Sequence, residues 1–217
     1  MAQCTANTRS GNRCRVPVER DSELCHIHDP DGLFQANVAK ASAHLEPEEV
    51  PAIADAGPPP ADARRVHTSG SCRPNPGVGG WAWVLQGQEG TSGAGSVEMT
   101  TSPRMELTAA HMALLAVPGP IVIVSDSRYV VNCMRDQWWV KWIRNDWKLK
   151  WGESGQDIKN RDLWEPFIEL VRVRAGEVWF EWVAGHSGHE WNKRAERLAR
   201  EQIPDRDVLR RRTVLVG

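Results

Sequence analysis

The chain has 217 residues, 41% hydrophobic and 25% charged, with a formal net charge of −1 and a mean hydropathy of −0.48. That length suits one substantial domain plus a small extra module. No apolar run approaches the length of a membrane span, and the opening stretch to Cys14 has no signal-peptide core, so a cytoplasmic, membrane-free monomer is expected. The near-neutral total hides an uneven distribution: residues 44–63 carry five acids and no Lys or Arg, while residues 134–152 carry five basic residues against two acids.

The first segment, residues 1–43, holds three of the five cysteines in the spacing Cys4-x9-Cys14-x10-Cys25-x2-His28. In a chain read as cytoplasmic, such a cluster suggests zinc rather than disulfides. Three thiolates and an imidazole make a closed tetrahedral structural site. A segment this short cannot bury a core of its own, and a bound Zn2+ would supply the missing stability. His26 is the rival fourth ligand, and three reduced cysteines in an unstructured tail are the plainer alternative. The following Asp31-Gly-Leu-Phe run to Leu45 reads as a short amphipathic helix with Asp31 as cap.

Residues 44–63 contain five of the fourteen prolines and read as a semi-rigid solvated linker, with a domain boundary here. Beyond it, a strand is predicted from Arg65, a second over Gly79–Leu85, and a third over Gly93–Met99, as an antiparallel meander. A helix follows from Arg104 to Pro118, with Met105, Ala109, Met112 and Leu115 at helical spacing and Pro118 as terminator. The continuous apolar run Ile121–Ser125 is a strand covered on both faces. Helices over 127–135 and 162–174, a strand over 177–183 and a final helix over Glu190–Gln202 complete the order. Three strands followed by αβαβα make an α/β domain, a mixed sheet flanked by helices, over residues 64–202. Residues 203–217 form a basic tail with Arg210, Arg211 and Arg212.

Tryptophan is over-represented, with eleven against one Tyr and three Phe, and five of the eleven lie within the basic stretch. Basic groups there suit salt-dependent contact with a phosphate backbone, while Trp138, Trp142 and Trp164 are expected in the core. Among the acids, Glu106 lies in the first helix, Asp126 ends the buried strand, and Glu196 lies in the last helix. An acid at the end of a buried strand is costly unless it is paired or bound to a metal, and ligand sites gather at such strand ends. A helix-surface Glu106 and an N-capping Asp126 are the alternative. Spacing alone leaves the two readings equal.

Several motifs occur together: Thr68-Ser69-Gly70-Ser71-Cys72-x2-Asn75-Pro76-Gly77, Thr101-x2-Arg104-Met105-Glu106-Leu107, Ser125-Asp126-Ser127-x-Tyr129-Val130, Lys159-Asn160-x-Asp162-Leu163-Trp164 and Trp182-Val183-x-Gly185-His186-Ser187-Gly188-His189. In order and spacing they resemble type 1 ribonucleases H over about residues 64–202. The resemblance implies a five-stranded mixed sheet with helices on both faces. It also implies hydrolysis of the RNA strand of an RNA–DNA hybrid by two Mg2+ (or Mn2+) ions held on carboxylate oxygens.

Carried over position by position, Glu106 and Asp126 match two of the family's four acids. The fourth, normally Asp, is Glu196, whose arm is one methylene longer. The first, normally Asp, is Ser69, a neutral and weak ligand, which implies weaker metal binding and slower cleavage. His186 matches the histidine that assists proton transfer or product release. Asn75 matches the reader of the hybrid's minor groove, where RNA shows its 2′-hydroxyls. Thr101 and Asn160 match a pocket for a DNA-strand phosphate, with Arg104 beside them. Ser102 and Pro103 replace the paired asparagines that follow Thr101 in the family, and Arg128 stands where Gln is common. The implied function is a hybrid-specific endoribonuclease. A catalytically inactive or substrate-trapping protein of the same fold is the alternative.

Overall fold

A computed structural model describes residues 57–149, 155–185 and 188–204, together with two short N-terminal strands, β1 (Ala2–Gln3) and β2 (Pro17–Val18), which pair antiparallel. The zinc ligands proposed above, the helix expected over 31–45, His186, Trp151 and the tail from residue 205 lie outside the described residues.

The main sheet has five strands: β3 (Arg64–Cys72), β4 (Gly77–Leu85), β5 (Ser92–Thr100), β6 (Ile121–Ser125) and β7 (Val178–Trp182). Their spatial order is β5-β4-β3-β6-β7. The first three form an antiparallel meander. Strand β6 then joins β3 in parallel, and β7 joins β6 in parallel. Among the described residues five helices flank the sheet: α1 (Ser102–Ala116), α2 (Arg128–Arg135), α3 (Trp138–Arg144), α4 (Arg161–Val173) and α5 (Glu190–Glu201). The mixed five-stranded sheet with flanking helices agrees with the fold that the resemblance implied.

Gly79 and Gly80, near the start of β4, show how both faces are covered. Successive residues of a strand point to opposite faces. A Cβ on Gly79 would run into Thr100 and Met105, the latter on α1, whereas one on Gly80 would overlap the carbonyl oxygen of Ala199 on α5. Helices α1 and α5 therefore lie on opposite faces, each close enough to β4 to exclude a side chain. The same alternation splits β6. Ile121 and Ile123 join the main core, while Val122 and Val124 pack with Val183 and Trp179 on the other side.

Helix α1 starts with Pro103 in its first turn, where a missing N–H costs nothing. It ends just before Pro118, and Arg174 closes it by donating to the carbonyls of Leu114 and Gly119, each at 2.6 Å. The expected stripe on α1 is only partly right. Met105, Ala109 and Met112 are buried, but Leu115 is 44% exposed and His111 is buried instead. The reason is that α1 is sandwiched: α4 covers its outer side, with Phe167 edge-on to His111 at 5.9 Å. A one-sided apolar stripe does not describe a helix held between two layers.

The tryptophans sort differently from expectation too. Trp164 is fully buried and Trp142 packs against the core, but Trp138 is 37% exposed and Trp139 is buried in its place. Trp139, Trp142 and Ile143 share one side of α3 at i, i+3 and i+4, and that side meets the core. Trp138, one position earlier, points away from it. Trp164 is the hub, with Tyr129, Trp142 and Phe167 ring centroids at 5.2, 5.5 and 5.8 Å. No helix among the described residues is long and apolar enough to cross a membrane.

Candidate active site

Strand pairing places the site. Ser71 is the register partner of Gly80, so both share the α5 face, and Ser69, two residues back, shares it too. Gly70, between them, faces α1 so closely that a Cβ there would overlap the backbone nitrogen of Glu106. The parallel pairing of Thr68 with Ser125 sets the next residues, Ser69 and Asp126, at neighbouring positions where β6 ends. Glu106 comes from the first turns of α1 and Glu196 from the middle of α5. Four separate elements thus bring the positions singled out in the sequence to one end of the central strands.

The electrostatics of these groups are unequal. The Glu106 Oε2 atom is buried with no hydrogen-bond partner. Burial first, then the charges of Asp126 and Glu196, push its carboxyl well above the ordinary glutamate value, with the Gly70 N–H opposing them in part. Glu196 is 8% exposed and held from two sides. Asn192 Nδ2 donates to Glu196 Oε1 at 3.1 Å and reaches Asp126 Oδ2 at 3.5 Å. Arg200 donates to Glu196 Oε2 at 3.2 Å. Gly185 leaves the loop after β7 tight against the same acid, since a Cβ there would stand 2.9 Å from Asp126 Oδ2.

Carboxylate oxygens, one of them buried and unpartnered, are a donor set that fits a hard divalent cation. The set is short by one acid. Ser69 is buried and neutral, and among the described residues no three Cys, His, Asp or Glu side chains stand together closely enough to hold a metal ion. Glu196, drawn to Asn192 and Arg200, is the acid a third ligand would have to come from.

A pH dependence follows for the metal-free protein. Glutamate ordinarily titrates near 4.5, and the folded value of Glu106 lies above that. The folded state therefore binds the proton more tightly than the unfolded chain does. The stability this adds is complete below the ordinary value and is lost as pH rises through the folded one. In a chelating buffer at pH 7, Glu106→Gln is expected to raise the thermal unfolding midpoint, and at pH 4 the difference should largely close. A variant that melts lower than the parent at pH 7 would contradict this.

The residues matched to substrate contacts form a second group along the start of α1. Asn75 Oδ1 accepts the Ser102 N–H at 3.3 Å, tying the loop after β3 to the Thr101–Ser102 corner. Arg104 makes a forked pair with Asp162 at 2.9 and 2.5 Å and also donates to Asn160 Oδ1 at 3.3 Å. The fork holds the Asp162 carboxyl below the usual carboxylate range. Asn160 precedes α4 with φ 62°, a left-handed conformation that Asn tolerates. Its Nδ2 donates to the Tyr129 hydroxyl at 3.1 Å, which also accepts the Trp164 indole N–H at 2.6 Å. Arg128 opens α2, two residues past Asp126.

Sequence reasoning gave no role to Asn192, Arg200, Asp162 or Tyr129. For the first two a signal existed: Asn192, Glu196 and Arg200 recur every four residues, the spacing at which helix side chains meet. For Asp162 and Tyr129 the motifs contained the residues, but only the packing of α1 and α2 against α4 shows what they hold.

The fold and site define an α/β protein whose acids gather over the central strands of a mixed sheet, beside a polar corner built from two helix starts. The family model for RNase H matches residues 62–204. Ribonuclease H of Nitratidesulfovibrio vulgaris (strain Miyazaki F) is 43% identical over 151 residues, 66% of this chain and 91% of the relative. Ribonuclease H of Syntrophomonas wolfei is 42% identical over 142 residues, 64% of this chain and 94% of the relative. Ribonuclease H of Acidithiobacillus ferrooxidans (strain ATCC 53993) is 43% identical over 137 residues, 61% and 82% of the two chains. The chain belongs to the RNase H family.

Proposed function

We propose that this chain hydrolyses the RNA strand of RNA–DNA hybrids, with a metal site weakened by Ser69. The observation that carries the reading is the buried, unpartnered carboxylate oxygen of Glu106, set over the Ser69–Gly70 strand, in a group whose proton affinity burial and Asp126 raise. Glu106 and Asp126, with Glu196, would hold Mg2+ or Mn2+, and such an ion supplies an activated water and charge stabilisation of a departing oxygen. The chain's own contribution is placement. Asn75 reads the hybrid's minor groove, Thr101 and Asn160 hold a DNA-strand phosphate with Ser102 and Arg104 beside them, Arg128 adds a cation, and His186 assists proton transfer or product release. The basic stretch 134–152 adds affinity that falls with salt.

The second reading, a protein that grips hybrid without cutting it, is favoured by one fact: buried, neutral Ser69 stands at the position of the first acid. Cleavage of an end-labelled hybrid in Mg2+ and in Mn2+ separates the two. Cutting of the RNA strand that vanishes in Glu106→Gln would sink the binding-only reading. No cutting by the parent or by Ser69→Asp would sink the enzyme.

The organisation we infer is a zinc-binding segment over residues 1–43, a linker over 44–63, the ribonuclease H-like domain over 64–202 and a basic tail. The zinc reading is supported by the Cys4, Cys14, Cys25 and His28 spacing alone. About one equivalent of zinc is expected in a metal-replete preparation, lost in Cys14→Ser with Cys25→Ser. Less than about half an equivalent in the parent would count against it.

A further inference from the structure

Resting on the hybrid-binding reading above, we propose that Arg128, seated on the Trp182 indole, is a phosphate clamp for the nucleic acid strand that passes over Asp126, and that Trp182 is its positioning residue. Three observations meet here. The Arg128 guanidinium lies over the Trp182 ring, 4.7 Å from its centroid. The Trp182 Nε1–H donates to the backbone carbonyl of Asp126 at 3.2 Å, so the ring is pinned to a residue of the candidate active site. Trp182 is nevertheless 38% exposed, at the end of β7.

The position of Arg128 sharpens the point. It is the first residue of α2, where the helix dipole presents its positive end and disfavours a cation. No acid lies in the first turn of that helix, and no salt bridge is formed by Arg128 among the described residues. Neither the helix end nor an ion pair therefore accounts for an arginine at this place. What holds it is the ring face, an attraction of cation to aromatic quadrupole that leaves the N–H edge of the fork free. A fork with free donors, fixed in direction and two residues from Asp126, matches the paired oxygens of a phosphodiester. A site that has serine in place of its first acid also repels that phosphate less, so a protein cation can take a larger share of holding it.

The test is binding of a fluorescein-labelled RNA–DNA hybrid by the full chain in EDTA, where no cleavage intervenes, across a salt series. Arg128→Gln is expected to weaken binding about tenfold and to lower the slope of log K against log salt by about 0.9, the signature of one lost phosphate contact. Trp182→Leu should weaken binding about threefold, and Trp182→Phe, which keeps a ring face, should recover most of that. The double variant Arg128→Gln, Trp182→Leu should bind no worse than Arg128→Gln alone, because the tryptophan acts through the arginine. An undiminished slope in Arg128→Gln, or fully additive losses in the double variant, overturns the inference and leaves the ribonuclease reading standing. Failure of the unaltered chain to bind the hybrid overturns both.

Discussion

Replacing Ser69 with aspartate should raise cleavage of an RNA–DNA hybrid by on the order of 100-fold at limiting Mg2+, the scale on which a single charged or polar contact to the reacting centre acts. The position is already built for it. Ser69 is buried on the α5 face of β3, beside the end of β6, where Asp126 follows. An added carboxylate would stand among acids that already raise the proton affinity of Glu106. Without metal it should make the fold less stable at neutral pH, because like charges are brought together. With metal it should do the reverse, because an ion that binds only the folded state stabilises it by mass action. The decisive measurement is paired: single-turnover cleavage and melting temperature, each as a function of Mg2+. Equal rates for parent and variant across that titration would show that Ser69 is not the weak point.

Gly70→Ala is the second large effect. The added methyl meets the backbone of Met105 and Glu106, not the tip of a flexible side chain. Something rigid must move, either β3 or the start of α1. Overpacking of this kind costs roughly 1–3 kcal/mol. The functional loss should be larger than the stability loss. A displacement of about 1 Å in a group that positions the reaction lowers rate by about 100-fold, and Glu106 sits at the point of collision. Circular dichroism melting and hybrid cleavage together test this. A variant that melts and cleaves like the parent would show that α1 does not approach β3 as closely as described.

Much of the fold was legible in the residue pattern. The apolar run Ile121–Ser125 declared a strand covered on both faces, and Pro118 declared the end of α1. The antiparallel meander followed from three strand-like runs separated by turn residues. The errors came where two layers press on one helix. Leu115 fitted the α1 stripe yet is exposed, because burial there depends on where α4 lies. Trp138 and Trp139 are neighbours with the same side chain, and only the docking angle of α3 chooses between them.

The candidate site divides along the same line. Residue identity and motif spacing picked out Ser69, Glu106, Asp126 and Glu196, and with them the missing first acid, because the chemistry of a carboxylate or a hydroxyl belongs to the residue itself. Apart from the i, i+4 neighbours of Glu196 on α5, their partners did not come from spacing along the chain. That Asn192 reaches Asp126, that Arg104 forks onto Asp162, and that Trp182 carries Arg128 are contacts between elements up to 66 residues apart. Such pairings are set by sheet register and helix docking, which are collective properties of the packed core. The residues of four elements therefore supply the chemistry of the site by their sequence, and the packing of α1 and α5 on either side of β3 settles how its charges are shared.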